Sequence, residues 1–489
     1  MNGSHTKVAG RFFLQAALVL GAAAGAGCAM ETVAPHETSS EDLSATSICD
    51  ATQLASALAS ATSGSTVQLG ECTVTGSFTV PAGVTLAGRG VARTTLVVTG
   101  DTVGVSLTAG AAPSVLRSVT VRTDGSFGVL VTGSGAAAVR NVRVSATRGV
   151  GIGAEDVRSV ELTSVRLMGP VTPESAGIIN PNALPVQTAT HGLVLLRVAT
   201  AAFTAVQVDG FAAFGALIID SATTWNDGGA SGNVGTGAMV WGGSATLRDL
   251  ALTGTFRGLG DHPSDLVLAS GARTSTHDVR VTESEGFGLL QDGAGPTTHR
   301  NLVATWNDAG GVWAQKGGAR LTLLGPGTAL DDNAHAGLVA IDVGLVSVND
   351  AHANRTLLAA LEGIAEAGDA IQLVRTAGSL SSVSLADNQR AGFFAELGDA
   401  LSASHYSFTG VTVSGGEGAL GLALQKNGTP LTLVTAGVTR LGAVAATDAA
   451  FAEGLNGLPV AGIINPNALP RAQRVATGGL AALFEQEPY

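Results

Sequence analysis

Along most of the chain, short apolar runs alternate with polar residues at a period of two, broken every few residues by Gly, Asn, Asp or Ser. That pattern predicts strands and turns rather than helices. A glycine opens an apolar strand repeatedly: Gly128-Val-Leu-Val, Gly151-Ile, Gly192-Leu-Val-Leu, Gly215-Ala-Leu-Ile, Gly237-Ala-Met-Val, Gly288-Leu-Leu, Gly311-Val-Trp, Gly337-Leu-Val, Gly392-Phe-Phe and Gly421-Leu-Ala-Leu. Five adjacent pairs of anchors stand 22–26 residues apart, and larger gaps, such as the 51 residues from Gly237 to Gly288, fit two coils with an unmarked anchor. A second strand precedes the anchors, as in Leu116-Arg-Ser-Val-Thr-Val, Val139-Arg-Asn-Val-Arg-Val, Leu247-Arg-Asp-Leu-Ala-Leu and Thr276-His-Asp-Val-Arg-Val. Strand repeats of roughly 20–25 residues predict a solenoid. The one clear helical signal comes early, where Asp50 caps Ala51-Thr-Gln-Leu-Ala-Ser-Ala-Leu-Ala.

Asn233, Asn307, Asn333 and Asn388 each stand four residues before an anchor. Stacked on one turn, such Asn side chains can pass amide hydrogen bonds from coil to coil. The arrangement resembles the Asn ladder of right-handed parallel β-helices in the pectin-lyase-like superfamily. The opening Cys49–Gly90, with its helix and the Val80-Pro-Ala-Gly-Val-Thr-Leu-Ala-Gly-Arg-Gly run, resembles that superfamily's N-terminal cap and first coils. The resemblance implies an all-β fold, a right-handed parallel β-helix solenoid. A short capping helix falls in 49–64, about 15 coils in 65–445, and an irregular C-terminal cap and tail in 446–489. It is specific for fold and implies no single function.

The register also assigns directions. If positions one and three after each Gly point inward, position two points out. The outward residues are then Leu130, Val194, Leu217, Met239, Leu290, Trp313, Val339 and Phe394, an apolar stripe that predicts a lid or a partner protein. A second oddity is a verbatim repeat: Ala176-Gly-Ile-Ile-Asn-Pro-Asn-Ala-Leu-Pro185 recurs as Ala461–Pro470. Its Pro and Asn spacing predicts extended loops, either equivalent covering loops from a duplication or a repeated docking epitope.

The N-terminus changes the picture from fold to address. Lys7 and Arg11 flank the apolar run Phe12–Ala24, which is too short to span a bilayer. Gly25-Ala26-Gly27 then precede Cys28, resembling the bacterial lipobox, whose Cys becomes the lipidated first residue. With Ala29 after the Cys, the resemblance implies an outer-membrane lipoprotein of a Gram-negative bacterium. Ordinary signal cleavage near Ala22–Ala24 is the alternative and leaves Cys28 a free thiol. Residues 1–27 thus read as a signal peptide, and 28–48 as a flexible acidic tether. Cys49 and Cys72 remain, and export favours their pairing as a disulfide. Net charge is −12, and −14 once Lys7 and Arg11 are removed, which argues against a nucleic-acid partner.

Candidate chemistry is sparse. The resemblance makes polysaccharide lyase and hydrolase activities the ones to examine, yet the polygalacturonase signatures Asn-Thr-Asp, Gly-His-Gly and Arg-Ile-Lys are absent. A pectate-lyase Trp-x-Asp-His pattern is met only in half, at Leu259-Gly260-Asp261-His262. The register supplies a better cluster: Glu285 and Asp308 both stand three residues before their anchors in successive coils, about 5 Å apart. Glu283 and Asp332 stand five before theirs, beside Asp331. Glu285, Asp308 and Asp332 are the candidate catalytic carboxylates, and such acids also suit Ca²⁺ as a cofactor. Trp306, Trp313, His262 and Arg300 are the candidate substrate-binding residues. Two functions are consistent with this pattern. One is a non-catalytic, lipid-anchored rod that binds a polysaccharide or protein along the apolar stripe and the repeated loops. The other is a polysaccharide lyase or hydrolase working at the carboxylate edge.

Overall fold

The computed structural model describes residues 47–171, 190–257, 263–316, 320–361, 364–401, 405–415, 420–426 and 429–435. Cys28, His262, both copies of the repeated loop and the 446–489 segment lie outside them. Within them the chain winds into a parallel β-solenoid. One face is a fifteen-stranded sheet of mostly six-residue strands such as His191–Leu196, Phe214–Ile219 and Thr236–Trp241. The other two faces share a nineteen-stranded sheet, whose strands, such as Thr200–Asp209 and Ser244–Thr253, each bend at their middle. The solenoid makes roughly thirteen turns, fewer than the fifteen coils predicted. Two things lengthen the chain without adding a coil. Gly151 and Gly192 are neighbours in the stack despite the residues between them, and Thr429–Thr435 folds back antiparallel onto Leu420–Lys426.

The helix occupies Ala51–Ser60, with the Asp50 carboxylate accepting the Gln53 N–H at 2.9 Å and Leu54 and Leu58 buried. The Cys49–Cys72 disulfide, with Cα atoms 5.9 Å apart, ties the residue before the cap to the first coil.

The Asn ladder and the glycine anchors prove to be one device. Asn333 accepts the backbone N–H of Asn307 at 3.1 Å and its amide at 2.9 Å, and donates to the Ala304 carbonyl at 2.7 Å. Asn233 and Asn388 likewise satisfy backbone groups of the preceding coil. A Cβ on Gly215, Gly288 or Gly311 would stand 2.7 Å from the Nδ2 of Asn233, Asn307 or Asn333, so the glycine makes room for the next coil's amide. The unmarked anchor between Gly237 and Gly288 is Asp265, and Ala370 holds the equivalent position between Gly337 and Gly392. Where the next coil offers Ser284 instead of Asn, the Asp265 carboxylate itself accepts the Thr255 N–H and hydroxyl. Full burial pushes its pKa well up, assisted by the charge of Glu283.

Each corner is turned by a stacked column of left-handed residues. Between the second and third faces the column runs through Ser118, Asn141, Ser164, Ala205, Asp227, Asp249, Asp278, Asn301, Gly325, Asp350, Ser382 and Gly410, all with positive φ. Asn and Asp tolerate this region best, which explains their frequency there. Stacking also places Arg opposite Asp between coils. Arg197 grips Asp156 at 2.6 and 2.8 Å, and Arg375 grips Asp342 at 2.7 and 2.6 Å.

The predicted apolar stripe is not an open surface. Val194, Leu217, Met239, Leu290, Trp313 and Val339 are at most 1% exposed and belong to a second hydrophobic cluster on the outer side of the first face. Phe394 is 6% exposed and only Leu130 is half-buried. Each such side chain withdrawn from water contributes about 1.5–3 kcal/mol. The face is therefore a second core, and a partner protein does not meet it as an exposed stripe.

Candidate functional site

The predicted carboxylate edge forms in part. Glu285 and Asp308 sit at equivalent positions of adjacent coils: the Glu285 N–H donates to the Thr255 carbonyl and the Asp308 N–H to the Ser284 carbonyl, both at 2.9 Å. Both side chains are exposed. Glu285 accepts the backbone N–H of Arg257 at 2.7 Å. Partial burial raises the Asp308 pKa, the neighbouring Glu285 charge raises it further, and Arg257 opposes both.

Asp332 does not join them. It lies in the left-handed column two residues earlier, and Arg355 holds it with two hydrogen bonds of 2.7 Å. Asp331 is taken up by His352 and the Asn354 N–H. The sequence pattern placed Asp332 correctly on the edge but could not show that the next coil supplies its counter-ion. Trp306 occupies the same column, between Glu283 and Asp332, with φ 61° and 61% of its surface exposed.

Two other predicted residues sit elsewhere. Trp313 is fully buried in the second core, 5.1 Å from the Phe287 ring, with its indole N–H donating to Gln315 at 3.0 Å; it cannot stack a ligand at the surface. Arg300 belongs to the outer side of the second face, since the chain turns a corner between Asp308's column and its own.

There Arg300 lines a cleft of about 560 Å³ with Thr246, Arg248, Asp249, Ser275, His277, Asp278 and Thr298. The cleft is built from register. Arg248 pairs with His277 and His277 with Arg300, while Thr246, Ser275 and Thr298 form a parallel hydroxyl row two residues away. Asp249, Asp278 and Asn301 occupy the corner column beside the basic row. His277 Nδ1 lies 2.5 Å from Asp278 Oδ2, and Asn301 donates to Asp278 at 2.8 Å. Arg248, Asp249, His277 and Asp278 were not among the predicted site residues. A signal existed: a basic residue precedes an Asp or Asn in Arg140-Asn141, Arg248-Asp249, His277-Asp278 and Arg300-Asn301.

His299, one residue before Arg300, points the other way. It is wholly buried in the interior, 3.0 Å from the Thr276 hydroxyl and 2.9 Å from the Gln291 amide, and burial depresses its pKa to about 3. It is a neutral core residue. Among the described residues, no group of three or more His, Cys, Asp or Glu is placed to hold a metal ion.

No family model matches the chain, nor does any curated protein. Among solved structures it is similar, at low identity, to the A-module of a mannuronan C-5 epimerase from Azotobacter vinelandii. That match has 15% identity and a TM-score of 0.36, over 76% of this chain and 91% of the other. Tailspike protein 3 of bacteriophage CBA120 follows at 11% identity and TM-score 0.37, with 77% of this chain and 58% of the tailspike covered. The catalytic domain of a GH87 alpha-1,3-glucanase is 12% identical with a TM-score of 0.26, over 73% of this chain and 61% of the other. The parallel strand stack, the Asn ladder and the left-handed corners place the chain among the parallel β-helix proteins.

Proposed function

We propose that this chain is an exported, lipid-anchored binding protein whose solenoid holds a polysaccharide strand in the cleft on its second face. The cleft carries the reading: two guanidinium groups, an imidazole, three hydroxyls and two carboxylates converge on about 560 Å³ of exposed concave surface. Hydroxyls and carboxylates bond sugar hydroxyls, and Arg supplies planar donors for charged substituents. The segment around Cys28 is the proposed anchor and the acidic 28–48 stretch the tether. To test binding, the chain with Cys28→Ser is titrated against a panel of plant and bacterial polysaccharides, with Arg248→Ala/Arg300→Ala as the comparison. Equal retention of every polymer by both forms sinks the reading.

A second reading is favoured by the raised pKa of Asp308. Two neighbouring carboxyl groups, one of them with a raised pKa, are the kind of pair a glycoside hydrolase uses, and an exposed Trp306 stands next to them. Incubation with the same panel, with and without Ca²⁺, is followed for new reducing ends and for ultraviolet absorbance of unsaturated products. Turnover lost in Asp308→Ala establishes catalysis, and the absence of turnover in the folded chain rejects it.

A further inference from the structure

The proposal rests on reading the cleft as a glycan site and concerns what kind of glycan it takes. At several places where this solenoid presents an arginine at a stacked outer position, an acid of a neighbouring coil neutralises it. Arg140 bonds Glu161 at 3.1 and 3.0 Å, Arg197 bonds Asp156, Arg355 bonds Asp332 and Arg375 bonds Asp342. Arg248 and Arg300 are not neutralised in this way. Both are exposed, and neither guanidinium makes a hydrogen bond or ion pair with any described residue, although Asp249 and Asp278 stand in the next column. Asp278 is already engaged by His277 and Asn301. The two guanidiniums therefore face the cleft with their donors unused.

Their row is also bounded. The coil before Arg248 presents Asn226 and the coil after Arg300 presents Leu324. Beyond Leu324 the strand bulges, with the register slipping between Leu324 and Thr328 and Pro326 exposed at the bulge. The basic run thus covers three coils, each about 4.8 Å from the next, a rise comparable to one glycosyl unit. We infer that the cleft takes an anionic glycan lying along the solenoid axis. Its carboxylate or sulfate groups meet Arg248, His277 and Arg300 in successive coils, while Thr246, Ser275, Thr298 and Asp249 bond its hydroxyls.

The test is calorimetric titration of the full chain carrying Cys28→Ser with size-defined oligomers: oligogalacturonates, sulfated carrageenan oligomers and neutral xylo-oligosaccharides, each from one to six units. The expected result is binding of either anionic series with affinity that climbs through three units and then levels. Arg248→Ala and Arg300→Ala should each lower it about 10- to 100-fold, the cost of losing a charged hydrogen-bond partner. Arg140→Ala, paired on the same row outside the cleft, should leave it unchanged. Neutral oligomers that bind equally well, with the Arg248 and Arg300 variants unaffected, overturn the anionic assignment and leave the glycan site standing. Affinity that rises steadily to six units overturns the three-coil register. Failure of every oligomer to bind a chain with an intact circular-dichroism spectrum overturns both this inference and the binding function beneath it.

Discussion

Acidification should destabilise this solenoid through His299. The ring is fully buried, its Nε2 accepts from the Gln291 amide and its Nδ1–H donates to Thr276, while Thr297 donates to Gln291. A second ring proton would point at the Gln291 amide, another donor, inside an apolar interior. The folded pKa is accordingly about 3 against 6.5 for the free side chain. The unfolded chain binds the extra proton below pH 6.5 and the folded chain does not, so stability falls as pH drops from 6.5 towards 3. At pH 5 the linkage amounts to about 2 kcal/mol. His191 and His335, each with a pKa lowered to about 4, add to the slope, and the raised carboxyls of Asp265 and Asp369 act in the opposite sense above pH 3.8. Urea unfolding of the wild type and His299→Gln at pH 7 and pH 5 isolates the single group, because every other titration, and the pH-independent cost of the substitution, cancels in the double difference. The variant should lose about 2 kcal/mol less than the wild type between the two pH values. Equal losses in the two proteins would falsify the assignment of His299 as a neutral interior residue.

Asn333→Ala removes one acceptor of two bonds and one donor, stranding the Asn307 N–H, the Asn307 amide and the Ala304 carbonyl inside the coil. It should cost about 3–6 kcal/mol in urea unfolding, and a cost below 1 kcal/mol would contradict a ladder that satisfies backbone groups. Trp306→Gly should leave stability unchanged or raise it by about 1 kcal/mol, since an exposed L-residue at φ 61° gives up left-handed strain there; marked destabilisation would mean the indole packs in a way its 61% exposure denies. Reducing the Cys49–Cys72 bridge, with its separation of 23 residues, should cost about 3 kcal/mol and fray the capping helix first. Loss of helical signal well after the strands unfold would reject that order.

The sequence read well wherever one residue type answers one local demand. Gly288 and Gly311 announce the coil because a Cβ there collides with the next amide, and Asn307 and Asn333 announce the turn because only a short amide can bridge to the coil before. Trp313 misled because position two after the anchor fixes direction but not solvent contact, and on this face the outward side is buried too. Arg300 misled differently. It lies near Glu285 and Asp308 along the chain, yet a solenoid separates sequence neighbours by a corner and joins residues a whole coil apart. His299 and Arg300 are consecutive, one inside the core and one in the cleft, whereas Arg300 and His277 are 23 positions apart and pair directly. Chemistry on such a fold is therefore written down columns rather than along segments. The informative observation is a column whose charges go unanswered: Asp332 with Arg355 is an answered pair and only holds coils together, while Arg248 and Arg300 are not answered and leave their donors for something outside the chain.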